Sequence, residues 1–179
     1  MHALKAWVKE QHAGQLIRKT DKPYFEHLLF VAEKARSVFP LGYEIGLCHD
    51  LLEETDVSEA VLLIALKNFG YPAATAEYIK DCVVELTDVF TIAAYPEIKK
   101  KKRKKMEAKR LAYISPDSQT VKYADLIYNM NWMLRYGGEK LTKYLQRKLL
   151  LLERLSGGDQ TLRCEALGLI MKSLQDNNV

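Results

Sequence analysis

The chain has 179 residues, 48% of them hydrophobic and 28% charged, with a formal net charge of +4. That is long enough for one domain with a real apolar core, and no disulfide or structural zinc is needed to hold it. No apolar run is long enough to cross a membrane, and the three cysteines, Cys48, Cys82 and Cys164, lie too far apart for a zinc knuckle or a disulfide framework. A reducing, cytoplasmic compartment without a signal segment is therefore expected, with Cys48 a small buried hydrophobe.

Apolar periodicity predicts helices over about 2–15, 24–38, 42–53, 58–69, 72–86, 95–113, 117–135, 139–155 and 160–175. Ser58 stands where an N-cap belongs, and Phe69-Gly70 where that helix should stop. Pro72 and Pro96 suit first-turn positions, and Asp117 or Ser118 can cap the helix that follows. Gly137-Gly138 and Gly157-Gly158 separate the last three helices. The β-branched run after Cys82 has no alternating partner nearby, so no strand is expected. With no internal repeat and no linker, residues 1–179 read as one all-α bundle of about eight to nine helices.

The chemistry is concentrated in Leu47-Cys48-His49-Asp50-Leu51-Leu52-Glu53-Glu54-Thr55. Four proton- or metal-handling side chains fall within six residues of an apolar helix, and positions three or four apart share a face. His49 and Glu53, Asp50 and Glu54, and Asp50 and Glu53 can then point into one pocket. Burying such groups without partners is costly, so pairing or a bound cation is expected. An adjacent His-Asp offers half of an octahedral site. His27, in an apolar helical stretch, and Asp125, in another, are candidates for the other half.

A His, then His-Asp, then a distant Asp, each on its own helix, resembles the pattern of the HD phosphohydrolases. His12-Ala13-Gly14-Gln15, Arg18-Lys19, Pro23-Tyr24, His27, His49-Asp50-x-x-Glu53-Glu54-Thr55 and Lys122-x-Ala124-Asp125-x-x-x-Asn129 resemble the RelA/SpoT hydrolase domain in particular. The likeness spans roughly residues 7 to 135 and is nearest the small stand-alone alarmone hydrolases of metazoan SpoT type. It implies a single HD domain in which His27, His49, Asp50 and Asp125 hold one Mn²⁺, a set that also suits Fe²⁺ or Zn²⁺. It further implies Glu53 and Glu54 as the catalytic acids, Asn129 on the substrate, and Arg18 and Lys19 on its phosphates. The sequence departs from the family at Glu54, where Asp is usual, at Leu28, where Pro is common, and in the length of the Gln15–Pro23 loop.

The expected reaction is hydrolysis of the 3′-pyrophosphate of (p)ppGpp. Two alternatives stay open, the same chemistry on NADPH or a nucleoside monophosphate, and a degenerate domain that binds nucleotide without turnover. The expected partner is a small nucleotide rather than a membrane or nucleic acid, and the likeness allows a homodimer. His12 and Gln15 read as pocket wall rather than ligands.

One stretch stands apart in composition, the seven consecutive cations from Lys99 to Lys105. Charge on every side of a helix argues for a solvated segment. The same run could attract substrate phosphates, with Lys101 and Lys105 as contacts, or bind nucleic acid, though no aromatics interleave with the cations.

Overall fold

The computed structural model describes residues 2–176 and is all-α, with no named strand among those residues. Two compact units meet in sequence between Thr87 and Asp88. The first holds α1 (His2–Gln11), α2 (Phe25–Arg36), α3 (Gly42–Cys48), α4 (Leu51–Glu54), α5 (Glu59–Asn68) and α6 (Ala73–Leu86). The second holds α7 (Lys100–Leu111), α8 (Pro116–Tyr136), α9 (Leu141–Leu152) and α10 (Gln160–Asp176), with a 3₁₀ turn at Gly138–Lys140.

In the first unit α2 and α3 form the central pair. Leu28, Val31, Ala32 and Ala35 recur at helical spacing on α2 and are fully buried, and every residue of α3 is buried. The two backbones touch, because a Cβ on Gly46 would lie 2.8 Å from Cα of Ala32 and one on Gly42 would lie 2.3 Å from the carbonyl oxygen of Ala35. Only glycine opposite alanine allows that approach. Ser58 caps α5 as expected, its hydroxyl accepting from the Val61 amide at 3.3 Å, and Gly70 ends that region at φ +88°.

The expected helix 42–53 is interrupted at its most informative residues. His49 Nδ1 lies 2.7 Å from the carbonyl oxygen of Gly46, the acceptor that the Asp50 amide would take in an unbroken helix. The side chain takes that acceptor, and Asp50 leaves helical geometry at φ −103°, ψ 2°. His49 and Asp50 thus form a corner between α3 and α4.

In the second unit the core is Val121, Tyr123, Leu126, Ile127 and Met130 of α8 with Leu145 and Leu152 of α9 and Leu162, Ala166 and Ile170 of α10. The α8 cap is Ser115, whose hydroxyl accepts from the Ser118 amide at 3.3 Å, rather than Asp117 or Ser118. The Gly157-Gly158 turn is pinned to the start of α8. Tyr123 donates to the carbonyl of Gly157 at 2.6 Å, Gln119 accepts from the Gly157 amide at 2.9 Å, and Thr120 accepts from the Asp159 amide at 2.9 Å.

The basic helix begins at Lys100 rather than near 95, and it is not charged to no purpose on every side. Arg103 and Glu107, one turn apart, are buried. Arg103 donates to the carbonyls of Ile98 and Tyr95, while Glu107 accepts from the amides of Val89 and Phe90 at 3.1 and 3.0 Å and pairs with Arg110. Two opposite charges therefore fasten the irregular segment 88–99, which has no periodic partner of its own.

Candidate metal centre

The glycine contacts that join α2 to α3 also set an antiparallel register. Ala35 meets Gly42 and Ala32 meets Gly46, so one further turn along α2 places His27 opposite the His49-Asp50 corner. His27 Nε2 and His49 Nε2 lie 3.3 and 3.1 Å from the same oxygen, Oδ2 of Asp50, and the two imidazole rings are 5.1 Å apart. One ligand atom from each of these three residues falls within 4.8 Å of the other two. Ligands at about 2.1 Å from one ion and at right angles to each other sit roughly 3 Å apart, so the spacing fits a single cation.

The protonation pattern fits as well. A carbonyl oxygen only accepts, so His49 carries its proton on Nδ1, toward Gly46, and presents the lone pair of Nε2 to the cluster. Both histidines are buried, at 3% and 2% exposure, as metal-binding imidazoles in a dry site would be. Burial works to raise the Asp50 carboxyl, yet the facing imidazoles of His49 and His27, when protonated, hold it well below the usual carboxylate range. The group is an anion whenever it is needed as a ligand.

A second layer surrounds the three. Tyr24 donates its hydroxyl to Asp50 Oδ2 at 2.6 Å, and its ring stacks on His12 with centroids 5.6 Å apart. His12 is 2% exposed, bonds Gln15 through Nδ1 at 2.8 Å, and leaves Nε2 buried without a hydrogen-bond partner among the described residues. Burial keeps its pKa below the ordinary imidazole value against the opposing pull of Gln15 and Asp50. Gln15 also donates to the backbone oxygen of Glu54. His12 thus lies against Tyr24, and Gln15 lies between it and Glu54.

Glu53 and Glu54 face a cleft of about 420 Å³ lined with Gln11, Gln15, Thr55 and Asp56. Gln15 links that cleft to the His12–Tyr24 layer. Arg18 and Lys19 are exposed in the loop between α1 and α2, which the Leu16–Pro23 bridge closes and in which Lys19 adopts φ +64°.

Asp125 lies in the second unit, buried at 6% exposure on α8. Lys122 Nζ is 2.8 Å from its Oδ2, and Asn129 donates its amide to Oδ1. Asp125 and Asn129 share a face, as the four-residue spacing requires. Lys101 and Lys105 are exposed on α7, on the side away from Arg103 and Glu107. The cations that gather near Asp125 include Lys148 of α9 and Lys122, with Lys104 and Arg147 beyond them. Sequence reasoning passed over Lys148 and Arg147 because they sit in an ordinary amphipathic helix with no motif around them. Tyr24 has no local signal of its contact, since its partner Asp50 is 26 positions away.

No family model and no curated protein matches the sequence. Among solved structures the chain matches a metazoan orthologue of SpoT that hydrolyses ppGpp and plays a role in starvation responses. The TM-score is 0.75 at 20% identity, over 95% of this chain and 93% of that one. This chain shares the fold of that protein. The all-α expectation holds over nearly the whole length, and the likeness reaches beyond residue 135 into the two C-terminal helices.

Proposed function

We propose that the chain is a metal-dependent hydrolase of a phosphorylated nucleotide, and that the 3′-pyrophosphate of (p)ppGpp is the group it removes. The observation that carries this reading is the buried His27–His49–Asp50 cluster, with its nitrogen lone pair and carboxylate turned inward, within the fold of a ppGpp hydrolase. Asp125 is proposed as the fourth ligand on the strength of the sequence pattern, and Mn²⁺ as the ion, with Fe²⁺ or Zn²⁺ compatible with the same donors. A divalent cation bound there would lower the pKa of water and polarise a phosphoryl oxygen.

The chain's own residues supply the rest. Glu53 and Glu54, one turn past the ligands, orient the attacking water and take its proton. Water oxygen bonds to phosphorus, the bond from phosphorus to the ribose oxygen breaks, and a proton returns to that oxygen as pyrophosphate leaves. Arg18, Lys19, Lys101 and Lys105 offer charge for the remaining phosphates, and Asn129 offers an amide to the ribose or phosphate. Tyr24 and His12 hold the ligand layer in place.

Metal-loaded protein incubated with ppGpp, pppGpp, NADPH and nucleoside monophosphates, with the products resolved, tests the assignment. Release of pyrophosphate from ppGpp with GDP as co-product supports it. Turnover of NADPH or a monophosphate alone would move the activity to the other nucleotides.

A further inference from the structure

The helix that carries Glu53 and Glu54, α4, is four residues long and is held from both ends. At its start the Asp50 carbonyl accepts from the Glu53 and Glu54 amides at 3.2 and 2.9 Å. At its end the Glu54 carbonyl lies past the last turn, where the helix itself supplies no donor. Gln15, 39 positions earlier, supplies one, its Nε2 donating to that oxygen at 2.5 Å.

Gln15 can do this in one orientation only. A carbonyl only accepts, so the side-chain NH₂ faces Glu54 and Oε1 faces the other way. Oε1 lies 2.8 Å from Nδ1 of His12, which therefore carries the proton. His12 is 2% exposed, and its Nε2 is buried without a hydrogen-bond partner among the described residues. A buried nitrogen left unpaired is a cost that packing alone does not require. The flat side of the ring is fixed by Tyr24, with 5.6 Å between centroids and 26° between planes. Among the printed contacts of its side chain, the one polar task of His12 is to donate to Gln15.

The backbone of Gln15 reaches the metal layer as well. Its carbonyl accepts from the Tyr24 amide at 2.9 Å, and the Tyr24 hydroxyl donates to Asp50 Oδ2 at 2.6 Å. One residue thus belongs to two chains of bonds, one ending on a ligand carboxylate and the other on the Glu54 backbone.

We propose that Gln15, oriented by His12, is a positioning residue that fixes the reach of the Glu53 and Glu54 carboxylates relative to the metal ligands. The proposal rests on the hydrolase reading, which gives those acids their task. Hydrogen bonds in series strengthen one another, so loss of the His12 donor loosens the bond to Glu54 too. A displacement of about 1 Å at a group that handles the reacting proton can cost about 10²-fold in rate.

Three variants test this. His12→Phe keeps a ring against Tyr24 and removes the donor, His12→Asn sets an amide N–H where Nδ1 stood, and Gln15→Met keeps the length and removes both side-chain bonds. With ppGpp and metal-loaded protein, His12→Phe and Gln15→Met should each lower kcat about tenfold or more, with KM within about twofold and the metal retained. His12→Asn should recover kcat to within about threefold of the parent, and the His12→Phe, Gln15→Met double variant should be no slower than Gln15→Met, since both cut one chain of bonds. Gln15 is half-buried, so Gln15→Met decides the matter should His12→Phe fail to fold. Gln15→Met at the parent rate, or His12→Asn as slow as His12→Phe, would overturn the positioning role and leave the hydrolase reading untouched. The ¹³C shift of the Glu54 carbonyl reads the same link without turnover, and should move in Gln15→Met and His12→Phe but not in His12→Asn. That pattern in a protein that hydrolyses no nucleotide would keep the link and remove the hydrolase reading, and a shift unmoved by Gln15→Met would remove the link itself.

Discussion

Tyr24 donates its hydroxyl to Oδ2 of Asp50 at 2.6 Å, the oxygen that also faces Nε2 of His27 and of His49. One carboxylate oxygen thus ties the loop before α2 to the corner between α3 and α4. The Tyr24 amide is fixed in turn by the carbonyl of Gln15 at 2.9 Å, and its ring by His12. Such a partner sets the angle at which a ligating carboxylate meets a cation. Tyr24→Phe is accordingly expected to lower metal affinity about 10- to 100-fold while the fold is retained. Competition against a chelator of known affinity checks this, and an unchanged affinity would make the hydroxyl a packing detail.

The metal itself should join separate segments of chain. Ligands drawn from α2 and the α3–α4 corner exist as a set only in the folded protein, so occupancy is coupled to stability. Removal of the ion from protein held at a hundred times its Kd should cost about 2.7 kcal/mol, seen as a fall in Tm. The His49→Ala, Asp50→Ala double variant should show no such fall on chelation and should carry no stoichiometric metal. Retention of one ion per chain by that variant would end the assignment.

The His27–His49–Asp50 cluster of the candidate site was legible because its residues are local or motif-bound. His49 and Asp50 are adjacent, Asp125 and Asn129 are one turn apart, and the ordered set of motifs linked them to His27. The all-α class followed from periodicity. What escaped was whatever depends on a side chain taking a backbone partner. The break at Asp50 arises from His49 capturing the Gly46 carbonyl, and the late start of α7 accompanies Arg103 holding the carbonyls of Ile98 and Tyr95. Seven cations in a row look uniform, yet the burial of Arg103 beside Glu107 divides them into an anchor and exposed faces. Periodicity counts polar residues as outward and has no means of seeing a buried charge satisfied by carbonyls.

The α2–α3 contact offers a test of how the histidines are brought together. Gly46→Ala would set a methyl 2.8 Å from Cα and 2.9 Å from N of Ala32, both backbone atoms that a side-chain rotation cannot clear. Separation of the helices is the only relief, at a cost of about 3 kcal/mol or more. Because the same register places His27 opposite Asp50, metal affinity should fall along with stability. Chemical denaturation and metal titration on the one variant would reveal both losses. A stable Gly46→Ala protein with normal metal binding would show that the register is held elsewhere.

Glu53 and Glu54 are exposed in the cleft, whereas the histidines are enclosed. Acids that move protons need water, and ligands need its exclusion. Glu53→Gln should therefore keep the metal and lose about 10²–10⁴-fold in rate. Glu54→Asp, which shortens the side chain to the length usual in the resembled family, is expected to alter rate without loss of metal, since about one C–C bond of displacement is felt by catalysis. Metal analysis beside steady-state kinetics decides the matter. Loss of metal and rate together in Glu53→Gln would make Glu53 a ligand.

Lys148 gives the protein a pH signature. Its ammonium is lowered to about 8, first by burial and then by Lys122, with Asp125 opposing and Lys104 adding to the effect. An unfolded lysine titrates near 10.4, so between about pH 8 and 10 the unfolded chain holds a proton that the folded one has released. Stability contributed at this position therefore rises with pH through that window, and below it the folded protein carries the cost of the charge. Lys148→Met should remove the rise and stabilise the protein at pH 7 by about 1 kcal/mol, less than the full linkage value because the ammonium is partly in solvent. Tyr144, whose phenol burial pushes up, acts in the opposite direction only above the window. Urea midpoints of the two proteins between pH 7 and 10 make the comparison, and parallel curves would refute the lowered ammonium.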